Sequence, residues 1–184
     1  MFARTQRLTL RPGWPEDAPA LSRAIGHQEV VGMLAQAPWP YALGDAERFL
    51  ARPRALTEVF LLIVSHEADR PCLVGGIGIQ PEEGGGHELG YWLAPDAWGR
   101  GYATEAGRAV VEIARYALGL KRLVSGHFID NPASGRVLAK LGFQPTGRIA
   151  DRYSAGRSAN VACRLFELDF AAAEADTGPC AMAA

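Results

Sequence analysis

The stretch Trp98-Gly99-Arg100-Gly101-Tyr102-Ala103-Thr104-Glu105-Ala106 sets two glycines around an arginine and follows them with a run of helix formers. A glycine turn that opens a helix presents unpaired backbone N–H groups and the positive end of the helix dipole to whatever lies in front of it. Such a terminus takes an anion, and the pattern points to a phosphate. Taken alone, a motif this short is equally a structural cap with Arg100 in solvent. The helix itself is well marked: after Thr104-Glu105-Ala106, the residues Ala106, Ala109, Val110, Ile113, Ala114 and Ala117 recur at helical spacing up to Gly119.

Working outward, Glu88-Leu89-Gly90-Tyr91-Trp92-Leu93 reads as a short strand closed by the turn Ala94-Pro95-Asp96-Ala97. The order is therefore strand, loop, glycine turn, helix. Neither a G-x-x-x-x-G-K-[ST] loop nor a G-x-G-x-x-G turn with a following acidic residue is present, which excludes the two commonest nucleotide fingerprints. Downstream, residues 123–129 form a second strand, and Asp130-Asn131-Pro132-Ala133-Ser134 caps a second helix that runs to Lys140-Leu141-Gly142-Phe143. Pro132 suits the first turn of that helix and Gly142 its end.

These three segments, E-L-G-Y-W-L, G-R-G-Y-A-T-E-A and N-P-A-S-G-R-V-L-A-K-L-G-F, resemble the acetyl-CoA-binding core of the GNAT N-acetyltransferase superfamily, and within it the RimJ/RimL-like branch. The opening T-Q-R-L-T-L-R-P at residues 5–12 and Pro38-Trp39-Pro40-Tyr41, ahead of a helix at 45–51, extend the likeness to roughly residues 4–169. The resemblance implies an α/β (α+β) fold: one GNAT-like domain over residues 1–170, with helices flanking a mixed, mostly antiparallel sheet. That sheet is splayed where the strands beginning at Glu88 and Leu123 diverge. It implies acetyl-CoA as cosubstrate, its pyrophosphate on the turn residues Gly99, Arg100, Gly101, Tyr102, Ala103 and Thr104. The pantetheine arm then pairs with the backbone of Tyr91, Trp92 and Leu93, and Asn131 and Ser134 lie near the thioester.

Composition agrees with an enzyme of this kind. A chain of 184 residues with 48% hydrophobic content is long enough for one domain with a sizeable core. A net charge of −1 argues against a broad nucleic-acid surface and leaves anion binding to a local pocket. No run approaches the roughly 18 apolar residues of a membrane span, and Met1-Phe2-Ala3-Arg4-Thr5 lacks a signal-peptide core, so a cytoplasmic protein without membrane partners is expected. A homodimer is compatible with all of this. Cys72, Cys163 and Cys180 show no disulfide or metal spacing, and Cys72 and Cys163 are read as buried strand residues.

The remaining pattern predicts a strand at 8–11, a helix at 17–25, a helical stretch at 30–35 and a hairpin from strands at 59–64 and 72–79. Residues 81–86 form a glycine-rich tip, residues 146–153 and 161–170 a closing pair of strands, and the alanine-rich tail 171–184 is expected to be disordered.

The implied chemistry constrains the site. At pH 7 a lysine amine of pKa ~10.4 is almost wholly protonated, whereas about a tenth of an α-amine of pKa ~7.8 is free. Deprotonating the lysine costs about 4–5 kcal/mol, so a base matters much more for lysine than for an α-amine. Glu88 is the candidate base, sharing a strand face with Gly90 and Trp92, although a solvated strand-end carboxylate reads the same way; His87 faces oppositely. Backbone N–H groups of the splayed strand suit the oxyanion. Many superfamily members carry, as general acid for the departing thiolate, a tyrosine seven residues after the asparagine of the second helix, and here that position is Leu138. Ser134 becomes the candidate acid in its place, though it is equally a residue that satisfies a helix terminus. Trp98 replaces a common Gln or Arg ahead of the turn, and Arg136 and Lys140 reach either the nucleotide end or solvent. On the acceptor side the resemblance points to Trp39 and Tyr41, with Glu88 and Tyr153, as pocket walls. The favoured reaction is acetyl transfer to a protein N-terminal α-amine, as in ribosomal-protein acetylation. A small-molecule or antibiotic amine acetyltransferase and a non-catalytic acyl-CoA-binding module are the alternatives.

Overall fold

The computed structural model describes residues 1–82 and 84–171. One eight-stranded sheet runs through them in the order β1-β2-β3-β4-β5-β6-β8-β7. Its strands are β1 (Ala3–Arg4), β2 (Leu8–Arg11), β3 (Val59–Ser65), β4 (Cys72–Pro81), β5 (His87–Leu93), β6 (Arg122–Phe128), β7 (Gln144–Ser154) and β8 (Ala159–Asp169). All neighbours are antiparallel except β5 and β6, which the chain joins through a helix and which therefore run parallel. This is the mixed, mostly antiparallel α/β fold that the resemblance implies.

The helices are α1 (Ala18–Ile25), α2 (Gln28–Val31), α3 (Leu43–Ala51), α4 (Tyr102–Glu112) and α5 (Pro132–Lys140). Alternation along the strands divides the core in two. Leu61, Ile63, Ile77, Ile79 and Leu89 face α4 and pack on Ala106 and Val110, while Leu62 faces α1 and α3 and packs on Leu21, Ala46 and Leu50. Gly107 marks a close approach of α4, since a Cβ there would come within 2.5 Å of the Leu141 side chain.

Two expectations are corrected, and one strand was not anticipated. The helical stretch predicted at 30–35 is the single turn Gln28–Val31, because Gly32 closes it and the apolar Met33 and Leu34 continue as a loop wall instead of a helix face. Cys72, expected to be buried, is exposed, being the first residue of β4 at the rim of the sheet, whereas Cys163 is buried as expected. The strand β1, two residues long, is too short to leave an alternating pattern. The expectation of a disordered tail falls on residues 172–184, which lie outside the described residues.

Glu105, from the opening motif, fastens the N-terminal strands to α4. Its carboxylate accepts hydrogen bonds from Thr5 Oγ1 at 2.6 Å, the Arg7 backbone N–H at 2.9 Å and Arg7 Nε at 2.7 Å. Burial pushes this carboxyl up, but the bonds from Thr5 and Arg7 outweigh burial and hold it below the usual carboxylate range. A depressed folded-state value contributes stability that is present above the ordinary glutamate value and is lost as pH falls through the depressed one. Glu105→Ala should therefore lower unfolding free energy by about 1.5–3 kcal/mol at neutral pH. Thermal melts should show this gap from the parent shrinking below the usual carboxylate range.

Candidate active site

The parallel pairing of β5 with β6 consists of one register pair, Glu88 with Val124, beyond which the strands part. The open edge of β5 is capped at two points. Ser125 Oγ donates to the Leu89 carbonyl at 2.8 Å, and the Trp98 indole Nε1 donates to the Leu93 carbonyl at 2.9 Å. Backbone groups alternate sides along a strand, so if the Leu89 and Leu93 carbonyls face the splay, so do the N–H and C=O of Tyr91 between them. The opposite parity is visible at the strand end, where the Ala94 N–H turns to the Val74 carbonyl on the β4 side at 2.9 Å. Tyr91 thus offers one backbone donor and one acceptor to the gap, and an unpaired pair inside a protein demands a partner.

The glycine turn stands beside this gap. Gly99 and Gly101 take φ of +74° and +82°, and Gly101 is the N-cap of α4. No side chain caps α4, and its first backbone bond is Glu105 N–H to the Gly101 carbonyl at 3.0 Å, so the amides of residues 102–104 lie ahead of the helical ladder. Gly99, Gly101, Ala103 and Thr104 all line one cavity of ≈ 910 Å³ that passes through the splay. From α5, Arg136 and Lys140 line the same cavity and bring positive charge to it. Two expected contacts are not brought there. Arg100 is exposed and lies outside the lining, while Tyr102 is buried in the core, its hydroxyl donating to Glu67 and accepting from Ser65 Oγ at 3.2 Å.

Across the gap, Asn131 caps α5 by accepting from the Ser134 N–H at 3.2 Å, as the motif suggests. Ser134 carries a partner that sequence reasoning missed. The Tyr91 phenol donates to the Ser134 carbonyl at 2.9 Å and lies 2.8 Å from Ser134 Oγ. Burial pushes the phenol up to about 12, with the hydrogen bond to Ser134 pulling the other way, so it stays protonated throughout the neutral range. Leu138, which has no hydroxyl, is fully buried in the core, and the phenol beside Ser134 comes from Tyr91 of β5.

Glu88 and Trp92 line the cavity on the face of α1 and α3. Glu88 Oε1 is ion-paired with Arg152 of β7, a partner 64 residues away for which the sequence carries no local signal. Tyr41 also lines this end, and burial pushes its phenol up to about 12. Trp39 and Tyr153 do not line it; they are exposed, and the adjacent residues Pro38 and Arg152 do instead. His87 lies outside the lining, and its buried Nε2 has no hydrogen-bond partner among the described residues.

Comparison with known proteins places this arrangement in a context. Residues 7–144 match the family model of the acetyltransferase (GNAT) domain. The protein named Uncharacterized N-acetyltransferase YoaA, from Bacillus subtilis (strain 168), is 32% identical over 154 residues, covering 78% of this chain and 82% of its own. Among solved structures, ribosomal-protein-S5-alanine acetyltransferase from Vibrio fischeri superposes with a TM-score of 0.76 at 15% identity, covering 92% of this chain and 96% of that one. The microcin C7 self-immunity acetyltransferase MccE, solved with acetyl-CoA and AMP, gives 0.73 at 16% identity over 90% and 94% of the two chains.

Proposed function

The chain belongs to the GNAT acetyltransferase family, and from that premise we propose that it moves an acetyl group from acetyl-CoA to the α-amine of a protein N-terminus by direct attack in a ternary complex. The observation that carries this reading is the Tyr91 backbone pair, left open between two capped carbonyls, with the glycine turn on one side and Glu88 on the other. The fold likeness to an enzyme named for ribosomal-protein alanine acetylation supports the choice of acceptor.

Acetyl-CoA supplies an activated thioester. The amides behind Gly101 and the cations Arg136 and Lys140 suit its phosphates, and the Tyr91 backbone suits the extended pantetheine amides. At the reacting carbon, an N–H of the open β5 edge donates to the developing oxyanion. Glu88, held by Arg152, accepts the proton that the amine sheds once its nitrogen has bonded to carbon, directly or through a water. An α-amine already about a tenth free can attack without prior deprotonation, whereas a lysine, almost wholly protonated at pH 7, presents far less free amine to the thioester. Ser134 protonates the departing thiolate, its Oγ taking the Tyr91 phenol proton in the same step and the phenol regaining a proton from solvent. When the Tyr91 phenol shifts its proton from the Ser134 carbonyl to Oγ, the serine's own proton is released toward sulfur.

Two-substrate kinetics test this. Thiol release at varied acetyl-CoA and peptide concentrations should give intersecting reciprocal lines, and Ser134→Ala should lower kcat by about tenfold. Tyr91→Phe should cost no more than that, and the double variant should match Ser134→Ala, because the phenol acts through the serine. Parallel lines would exclude direct attack, and an unchanged kcat in Ser134→Ala would show that the thiolate leaves without an acid. Acetyl-CoA binding with no thiol release for any amine would mark a non-catalytic module.

A further inference from the structure

The acceptor half of the cavity has a floor built from three cross-strand pairs of β4 and β5. They are Gly76 opposite Trp92, Gly78 opposite Gly90, and Gln80 opposite Glu88, all on the face toward α1 and α3. The middle pair carries no side chain. At Gly76 a Cβ would come within 2.8 Å of the Trp92 indole nitrogen and 3.0 Å of the Phe60 ring, so glycine lets both rings lie down against the backbone. At Gly90 a Cβ would meet nothing within 4 Å, and this residue, in the middle of a central strand, is exposed. Bare backbone in the middle of a sheet is a place where a ligand approaches closely.

The walls of this chamber are aromatic and aliphatic. Phe60 and Phe49 pack edge to face at 4.7 Å, and Tyr41 and Val30 close the side toward α2. The carboxylates bordering it are largely neutralised: Asp45 by Arg48, Glu58 by Arg52 and Glu88 by Arg152. Glu29 lies at its exposed rim. A polyamine or aminosugar acceptor would need several uncompensated carboxylates to replace the water around its extra charges, and this chamber offers matched pairs and apolar surface.

Resting on the α-amine reading above, we propose that the residue bearing the acceptor amine has a large apolar side chain, aliphatic or aromatic. That side chain lies over Gly90 against Trp92 and Phe60 while its amine faces Glu88. The bare Gly78–Gly90 step provides the depth, the rings provide the contact, and the ion-paired Glu88 sits one cross-strand pair away.

Two measurements on the full-length chain decide it. In the first, peptides that differ only in their first residue are compared, with spermidine as a polycationic control. Peptides starting with Phe or Leu should have kcat/KM at least about tenfold above those starting with Ala or Ser. Phe49→Ala, which removes a wall, and Gly90→Val, whose Cβ meets nothing within 4 Å, should each bring that ratio below about threefold. The second is calorimetric binding of phenylalaninamide and alaninamide to the CoA-loaded protein, with phenylalaninamide expected to bind at least about tenfold more tightly. Equal binding of the two amides, a preference for Ala or Ser, or spermidine as the best acceptor overturns the apolar-side-chain inference. Selective binding of phenylalaninamide without any acetyl transfer retains the chamber's preference and overturns the catalytic reading alone.

Discussion

Glu88→Gln is expected to lower kcat/KM for peptide acceptors by about 10²- to 10³-fold, while the dissociation constant for acetyl-CoA stays within about twofold. Glutamine keeps the shape and can still accept a hydrogen bond from Arg152, but it cannot take the proton shed by the amine as the new bond forms. Because Glu88 lies on the proposed acceptor face and the proposed donor contacts are the Tyr91 backbone edge and the glycine turn, the loss should fall on turnover and not on donor binding. A melting curve guards against a trivial cause, since removing one member of a half-buried ion pair leaves Arg152 without its countercharge. A variant that turns over normally would reduce Glu88 to a structural anchor for β7.

The second large effect is expected at the glycine turn. Gly101 holds φ of +82°, and a valine there cannot keep it, since a β-branched residue in that region is a genuine outlier. A Cβ at this position would lie 3.5 Å from Arg7 Nη2, so the cost is conformational and not steric. The turn must reshape, and reshaping re-aims the amides of residues 102–104. Gly101→Val should raise KM for acetyl-CoA by about 10- to 100-fold, with a smaller change in kcat at saturating donor. Gly147 supplies the control, having φ of +75° in β7 with nothing within 4 Å of its Cβ position. Gly147→Val should cost comparable stability and leave KM for acetyl-CoA alone.

The local geometry of the candidate donor half was legible in the sequence because its determinants are local. A glycine turn, a first-turn proline and an asparagine cap work over three or four residues, and Gly101, Pro132 and Asn131 all occupy the positions their chemistry requires. Tyr102 was misplaced for an instructive reason: it lies within the phosphate motif, yet the helix turns it into the core, where Ser65 and Glu67 receive it. The partners of Glu88 and Ser134 were not legible, since Arg152 and Tyr91 reach them from 64 and 43 residues away through the order of the sheet. The role of Trp98 was hidden similarly. Its unusual identity was plain, but only the divergence of β5 from β6 creates the bare Leu93 carbonyl that its indole covers. The glycines of β4 read simply as part of a strand, because a missing side chain acquires meaning only once the neighbouring strand places Gly90 opposite it.

The most direct measurement pairs two peptides of one sequence, the first with a free α-amine and no lysine, the second blocked at its N-terminus and carrying a single lysine. Each is incubated with the protein and acetyl-CoA at pH 7 and followed by mass spectrometry. The free α-amine should be acetylated, at a rate about a hundredfold or more above the lysine of its twin, reflecting the ~2.6-unit difference in amine pKa. Equal rates on the two peptides, or acetyl-CoA bound with neither peptide modified, would contradict an α-amine acceptor beside Glu88.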